Sequence, residues 1–573
     1  MKRIISACAK KINESLSNQK FLFGFLAAGF LVIIYNFIFF VARNSVNIPY
    51  WDQWGISDVI SGHQRLLHIL FYYNNEHRIG VGLIVARALA FFSNWDQITE
   101  IKFISFLIIS STAIILYLKY LISKKLEIFD IIIPLITLNI FQAENLTWGF
   151  QISFVFPLFF LSLWLLSIIK IRSITKRNLS LTFLSLLGSF SSFHGLFLSI
   201  LTIGYITFDY YKENREDRKI FIATLFANIL IFLTYFIGFR QSEQSAKLSF
   251  KTIDFIASAI NNGFFYPEIN FISYLLAVIV IAFSLFLVYR LFKSKPSRSE
   301  IVGDILIFFG LLFILSVLRG RSAGGVDQAA ASRYVTFAML IPLGLFFVFS
   351  GFKKGKIYNL ILFIFIFSNI ILFSGKPAEK AADLTANKQK VMDCYFAYMY
   401  KAEGNLSSCY KIFPLYPNED YLDSRVEKVL HYKNPVDFNS LTKMGYYYNI
   451  KPKGVAMVSD ISDFFENFQN ISKNGAFFTS VNNDPYMTTT KSFDDIKGMT
   501  WKSNAKGNPK VYFLFENEEY SEKYSINIKP VDGEYIVNLN ALRNALNKKI
   551  VSVRIDPTDQ AEIFSISDFT IYK

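Results

Sequence analysis

Three clusters of polar side chains stand out in a chain that is 53% hydrophobic. In "IPYWDQWGISD", Asp52 lies between Trp51 and Trp54. A carboxylate beside indoles is partly desolvated, which makes it a stronger base for a hydroxyl proton. In "YNNEHRIG", Glu76, His77 and Arg78 are adjacent. Glu76 could support Asp52, hold a cation or act as the base itself. His77 could donate to a sugar or phosphate, and Arg78 could pair with an acid or a phosphate. The competing reading is a solvated helix cap formed by Asn74 or Asn75. In "RGRSAGGVDQAAASRY", Arg319, Arg321 and Arg333 bracket a loop containing Gly320, Gly324 and Gly325, and Tyr334 follows. A guanidinium matches phosphate oxygens as a two-pronged fork, and glycine lets backbone approach a ligand. This cluster reads as a clamp for a phosphate on a lipid carrier, with ordinary phospholipid headgroups as the other candidate.

Two smaller features follow. "FQAENLTWGFQ" carries Glu144 and Trp148, and "SFSSFHGLF" carries His194. Both can line a cavity or pack at helix ends. No Walker A loop, dinucleotide fingerprint, HExxH or Cys/His zinc spacing is present, which argues against an ATPase or a zinc protease.

The elements that must position these residues are membrane spans. Mean hydropathy is +0.34, too apolar for an ordinary soluble chain. Eleven apolar runs suit helices of up to about 20 residues. They are Phe21–Val41, Ile101–Leu121, Ile128–Ile140, Ile152–Ile169, Leu179–Phe190, Leu196–Phe208, Phe221–Phe239, Ile272–Phe292, Ile301–Leu318, Tyr334–Ser350 and Ile357–Phe373. The formal charge of +15 arises entirely before Lys376, because residues 376–573 hold 25 basic and 25 acidic groups. That excess sits in alternate loops such as "SKKLE", "KIRSITKR", "YKENREDRK", "FKSKPSR" and "KKGK". It reads as a positive-inside pattern and contact with membrane lipids, not nucleic-acid binding. The basic N-terminal segment, which carries Cys8, then lies inside and leads into an uncleaved anchor. An odd number of spans places the C-terminal part outside. All three polar clusters fall on that outer side, and no inner domain is large enough for a nucleotide sugar.

The expected organisation is a transmembrane domain over 1–375 with a first outer loop at 42–100, a helical region at 376–450 and a β-sandwich at 451–573. In the outer loop, Ser57–Phe71 and Ile79–Phe92 suit helices lying along the membrane interface. Glu379–Glu403 and Tyr416–Asn434 read as helices. After Gly454, short alternating runs ("VAMVS", "AFFTSV", "KVYFLFE", "YSINIK", "EYIVNL", "IVSVRIDP", "EIFSISDFTIY") read as strands, interrupted by a helix at Asn540–Lys549. Cys394 and Cys409 would face an oxidising compartment there, which favours a disulfide.

The order and common sidedness of "YWDQW", "NNEHR", "QAENLTWGFQ", "SSFHG" and "SRY" resemble the GT-C class of integral membrane glycosyltransferases. Within it they are most similar to bacterial O-antigen glucosyltransferases of the serotype-converting type. The resemblance covers most of the membrane half and extends to "CYKIFPLYP". It implies a multi-pass protein of the bacterial inner membrane with a cytoplasmic N-terminus and a periplasmic C-terminal domain. The implied activity is transfer of a sugar, glucose in that subgroup, from a polyprenyl-phosphate donor to a hydroxyl of a surface polysaccharide or lipid-linked glycan. By carry-over, Asp52 and Glu76 are the candidate acids, and Arg319, Arg321, Arg333 and Tyr334 bind the donor phosphate. Trp51, Trp54, His77, Arg78, Glu144 and His194 line the substrate site. Many members carry two adjacent acids, whereas Asp52 and Glu76 are separated in sequence, so either can be the base. No cofactor is required, though the two acids could hold a divalent cation. The C-terminal sandwich resembles galactose-binding jelly-rolls, and could hold the acceptor glycan or serve assembly. A transporter or scramblase of polyprenyl-linked glycans and a non-catalytic assembly protein are the alternatives.

Overall fold

In the computed structural model the long apolar runs are helices. Lipid offers no hydrogen bonds, so a spanning segment must satisfy its own N–H and C=O groups. The structure describes residues 19–60, 64–93, 95–212, 218–239, 251–293, 296–352, 355–399, 406–432, 451–452, 454–530, 533–546 and 548–573. Cys8 and its basic segment lie outside the described residues, as do parts of the expected 376–450 region.

Among the described residues, nine helical segments are long and apolar enough to cross a membrane. They are Gln19–Asn44, Gln97–Ser123, Ile128–Thr147, Gly149–Lys170, Arg218–Tyr235, Phe271–Arg290, Arg298–Gly324, Ser332–Ser350 and Gly355–Phe373. The chain is therefore a mostly helical, multi-pass membrane protein with a β-rich C-terminal region. Nine of the eleven expected runs are among these segments. The other two are also helices, Ile174–Ser189 and Phe197–Lys212, with 16 described residues each. At 1.5 Å per residue such a helix reaches about 24 Å, less than a hydrocarbon core of about 30 Å. Their connecting turn is buried at Ser191, Ser192, His194 and Leu196.

Two of the spans are broken helices. Ile128–Thr147 is interrupted after Thr137, and Ser332–Ser350 begins as a 3-10 turn. Side chains repair the freed backbone: Gln142 Nε2 donates to the Thr137 carbonyl at 2.7 Å, and Phe141 N–H donates to the Asn139 side chain at 2.9 Å. The two broken spans also hold each other. Asn145 Nδ2 donates to Thr336 Oγ1 at 2.7 Å, and that hydroxyl donates to Gln142 Oε1 at 2.7 Å. Irregular backbone at membrane depth is tolerated where protein buries it or a cavity borders it.

Helix Arg298–Arg321 packs closely on helix Leu340–Ser350 through Gly303 and Gly344. A Cβ on either would stand 2.6 Å from the other's carbonyl oxygen, so only hydrogen fits. Small residues let membrane helices approach in this way. Charges near the expected inner ends are paired. Lys119, almost fully buried, contacts Glu127 Oε2 at 2.9 Å and Asp130 Oδ1 at 3.3 Å, and Arg177 pairs with Asp209.

The chain divides into two compact units, Met1–Ser45 with His63–Leu384, and Val46–Gly62 with Thr385–Lys573. The second unit therefore takes a 17-residue piece of the first loop. Its helices include Gly375–Met399 (from Thr385 on), Leu406–Ile412, Glu419–Tyr432 and Leu539–Leu546, with Cys394 and Cys409 joined as a disulfide.

The first unit contains a two-stranded hairpin, β1 (Tyr73–Asn74) and β2 (His77–Arg78). The second contains β3 (Ala456–Val458), β4 (Asn467–Gln469), β5 (Ile471–Asn474), β6 (Phe477–Ser480), β7 (Tyr486–Thr488), β8 (Gly498–Ser503), β9 (Lys510–Phe515), β10 (Ser525–Asn527), β11 (Tyr535–Asn538), β12 (Ile550–Asp556) and β13 (Ile563–Tyr572). They form two antiparallel sheets, β10-β9-β12-β7-β4 and β11-β8-β13-β6-β5, with β3 beside β13. Met487, Phe513 and Val553 of one sheet and Met499, Phe478 and Phe564 of the other are fully buried. The seven expected strands are present. Strands β4, β5, β7 and β8 were missed, because "NFQ", "ISKN", "YMT" and "GMTWKS" are short or begin on glycine and show little alternation.

Candidate active site

The hairpin that carries Glu76 owes its shape to Asn75. Asn74 pairs with His77, leaving Asn75 and Glu76 as a two-residue turn, and Asn75 adopts φ 51°. Asparagine tolerates this left-handed conformation better than most residues. Glu76 therefore sits at a hairpin tip, where the sequence also allowed a helix cap.

Arg78 anchors the hairpin from behind. Its guanidinium is buried and donates to four backbone carbonyls: Tyr235 at 2.8 Å, Phe71 at 2.8 Å, Thr234 at 3.4 Å and Ile237. Three of these lie at or just past the C-terminal end of helix Arg218–Tyr235, where carbonyls lack helical partners and the dipole favours a cation. The guanidinium also lies 4.1 Å from the centre of the Tyr73 ring. Tyr235 completes the joint by donating its hydroxyl to the Glu76 carbonyl at 3.0 Å. Arg78, expected to pair with an acid or a phosphate, is occupied as this anchor. It fixes Glu76 relative to the chain at 236–239.

Glu76 opens onto a cavity of about 350 Å³ within the first unit. Its lining includes polar side chains, Glu76, His77, Ser316, Arg319 and Arg321, and aromatic ones, Phe154, Phe193, Phe236, Phe239 and Phe313. Val317, Gly320, His194 and Tyr334 complete the lining. Arg321 Nη2 stands 3.0 Å from Glu76 Oε1. Between the two arginines, a Cβ on Gly320 would lie 3.4 Å from that oxygen, an ordinary contact distance. The second oxygen, Oε2, is buried and accepts no hydrogen bond. Such an orphaned acceptor costs about 1–3 kcal/mol, a cost a site can carry when that atom has work to do.

His77 is beside it. Burial holds the imidazole down to about 4, against the pull of Glu76, and Arg321 and Arg333 push the same way as burial. The ring is neutral at pH 7. The Phe193 N–H donates to Nδ1 at 3.3 Å, so the ring proton is on Nε2, which lies 3.8 Å from Glu76 Oε1. That distance is too long for a hydrogen bond but leaves a donor aimed at the carboxylate side of the cavity.

His194 and Glu144, expected as substrate contacts, are held by the protein. His194 is caged by Phe154 and Phe337, with ring centres 4.4 and 4.2 Å away. Its Nε2 lies 3.0 Å from the Phe154 carbonyl, and Ser192 Oγ lies 3.1 Å from Nδ1. Burial holds this imidazole down to about 3. It forms part of the cavity wall as a neutral ring. Glu144 accepts from Arg333, through Nη1 at 3.1 Å and the backbone N–H at 3.0 Å. Asn145 Nδ2 donates to the Arg333 carbonyl at 2.8 Å. The "QAENLT" and "SRY" stretches are thus two halves of one lock, and Arg333 acts on the cavity through its field and through the placement of Tyr334. Trp148 packs on Phe150.

Asp52, Trp51 and Trp54 belong to the second unit. Asp52 begins the short helix Asp52–Gly55. Trp54 is fully buried, its indole N–H donating to the Pro49 carbonyl at 3.0 Å; it is core there, where a sugar contact was expected. Trp51 has φ 48°, a strained value for a bulky residue, and its N–H is tied to the Leu415 carbonyl at 2.8 Å. Asp58 pairs with Arg425. Lys388 lies 4.3 Å from the centre of the Tyr50 ring, and burial holds its ammonium down to about 7. The two expected acids therefore belong to different units, and in the first unit Glu76 is paired with Arg321. Among the described residues no group of three or more His, Cys, Asp or Glu side chains is placed to hold a metal ion.

The aromatic lining at Phe236 and Phe239 was missed from sequence, because it looks like any apolar span end. The signal that could have found it is a tyrosine at the end of a long apolar run, Tyr235, capable of meeting a distant arginine. No protein-family model, curated protein or solved structure matches this chain.

Proposed function

We propose that this protein is a membrane glycosyltransferase that takes a sugar from a polyprenyl-phosphate carrier and transfers it to a glycan hydroxyl. The observation that carries the reading is Glu76, whose carboxylate has one oxygen against Arg321 and the other unpaired beside a half-aromatic cavity. The aromatic lining suits a prenyl chain and a sugar face. Arg319 and Arg321 suit the phosphate. In the reaction the acceptor oxygen attacks the anomeric carbon, and the bond from that carbon to the phosphate oxygen breaks. The electron pair leaves with the phosphate, and the hydroxyl proton passes to Glu76. The leaving phosphate gains a negative charge, which the arginines stabilise without reorganising solvent. His77, neutral with Nε2–H inward, supplies a hydrogen bond to the sugar or phosphate.

The cavity is then on the periplasmic side of a bacterial inner membrane. The basic loops, on the positive-inside rule, and the disulfide, which needs an oxidising compartment, support that orientation. Exposed Leu66, Leu67, Phe91 and Phe92 flank the hairpin outside the nine candidate spans, as expected of short helices seated in the membrane interface. The β-sandwich would hold the acceptor glycan.

The test is transfer from a radiolabelled polyprenyl-phosphate glucose to a glycan acceptor in membranes. Glu76→Gln should lower the rate by about 100-fold or more, in line with loss of a general base. Wild-type activity in that variant would remove Glu76 as the base.

A further inference from the structure

The ion pair between Glu76 and Arg321 has a consequence for the order of binding, and it rests on the function proposed above. A carboxylate oxygen held by a guanidinium at 3.0 Å already has a donor on it, which a hydroxyl must displace to reach that oxygen. The same guanidinium lines the cavity together with Arg319, within reach of any phosphate placed there. A phosphate competes with a carboxylate for such a fork.

We infer that Arg321 is handed from Glu76 to the phosphate of the incoming donor, so that the base is masked until the donor is bound. Donor binding then switches on the residue that takes the acceptor's proton. The Glu76 backbone stays fixed during the exchange, because Tyr235 and Arg78 pin the hairpin. The movement is confined to the arginine. Release of Arg321 leaves Glu76 Oε1, the oxygen it had held, to meet the acceptor hydroxyl. The order follows: donor first, acceptor second. A hydroxyl or water that enters early meets a base still paired with its cation, which limits wasteful hydrolysis.

The test is a binding cycle with farnesyl phosphate, measured by calorimetry on the detergent-solubilised full chain. In the wild type, farnesyl phosphate must break the Glu76–Arg321 pair. Glu76→Gln loosens that pair in advance and is expected to bind farnesyl phosphate about tenfold tighter, the effect of one modest ion pair. In the Arg321→Gln background the same change should do nothing, because the guanidinium that pairs with Glu76 is gone. Glu76→Asp keeps the negative charge but draws it back by one methylene. It should also bind tighter, which separates loosened pairing from relieved repulsion. The hand-off is overturned if Glu76→Gln binds no tighter than wild type, or if its gain persists undiminished without Arg321. It is equally overturned if farnesol, which has no phosphate, shows the same gain. If neither the wild type nor Glu76→Gln binds farnesyl phosphate at all, the proposed function itself falls, and the hand-off with it.

Discussion

Arg78 does more for the candidate site than its position beside Glu76 suggests. One guanidinium satisfies carbonyls at Phe71, Thr234, Tyr235 and Ile237, joining stretches about 160 residues apart in sequence. Lysine keeps the charge but lacks the planar fork. Arg78→Lys should leave two or more buried carbonyls unpaired and cost about 2–3 kcal/mol. The expected outcome is a lower thermal midpoint in detergent, together with faster proteolysis near Tyr235. An unchanged midpoint would mean that the helix end finds other partners. Glu144 and Arg333 show the same economy at the other side of the cavity. Two charged residues that resemble substrate ligands in sequence are paired with each other, and their pairing positions Tyr334.

At the scale of elements, the buried turn between helices Ile174–Ser189 and Phe197–Lys212 sets the floor of the cavity. Two short helices that meet inside the first unit bring Phe193 and His194 to the site; two full spans would carry that turn to the membrane surface. The disulfide is the corresponding constraint in the second unit. It closes a loop of 15 residues between helices Gly375–Met399 and Leu406–Ile412. A loop of that length is worth about 3 kcal/mol in chain entropy. Replacing both cysteines by alanine should lower the unfolding midpoint of this unit, measured by scanning calorimetry, and a reductant should do the same to the wild type. No shift in either case would show that the helices hold without the bond.

For the whole molecule, two imidazoles, the buried His194 and the partly buried His77, make stability depend on pH. Both are neutral when folded, with His77 down to about 4 and His194 down to about 3, from an ordinary value of 6.5. Below 6.5 the unfolded chain binds protons that the folded chain does not. Stability is thus complete above pH 6.5 and falls as pH drops, until each folded ring protonates near its own lowered value. By pH 4 the His194 contribution alone is roughly 3 kcal/mol. Thermal unfolding at stepped pH should show the midpoint falling between pH 6.5 and 4. His194→Phe, which suits the aromatic cage, should flatten that slope even though it loses the bond to the Phe154 carbonyl. A slope unchanged in this variant would place the proton uptake elsewhere.

What the sequence determined by itself is what local pattern controls. Apolar runs of span length became helices, and alternating runs after Gly454 became strands, because burial in lipid or in a sandwich core depends on side-chain period. It also placed Glu76, Arg319 and Arg321 among residues able to do chemistry, because charges in an apolar chain are costly and few. Three things were decided only by the tertiary structure. Residues Val46–Gly62 fold with the C-terminal unit, a partnership written in no local pattern. The helices around His194 stop short, because their turn is buried by aromatic rings from distant segments. Arg78 is an anchor and Arg321 a partner of Glu76, though both are arginines near an acid. The difference lies in which carbonyls or carboxylates surround each guanidinium, and those are supplied by chain that is remote in sequence.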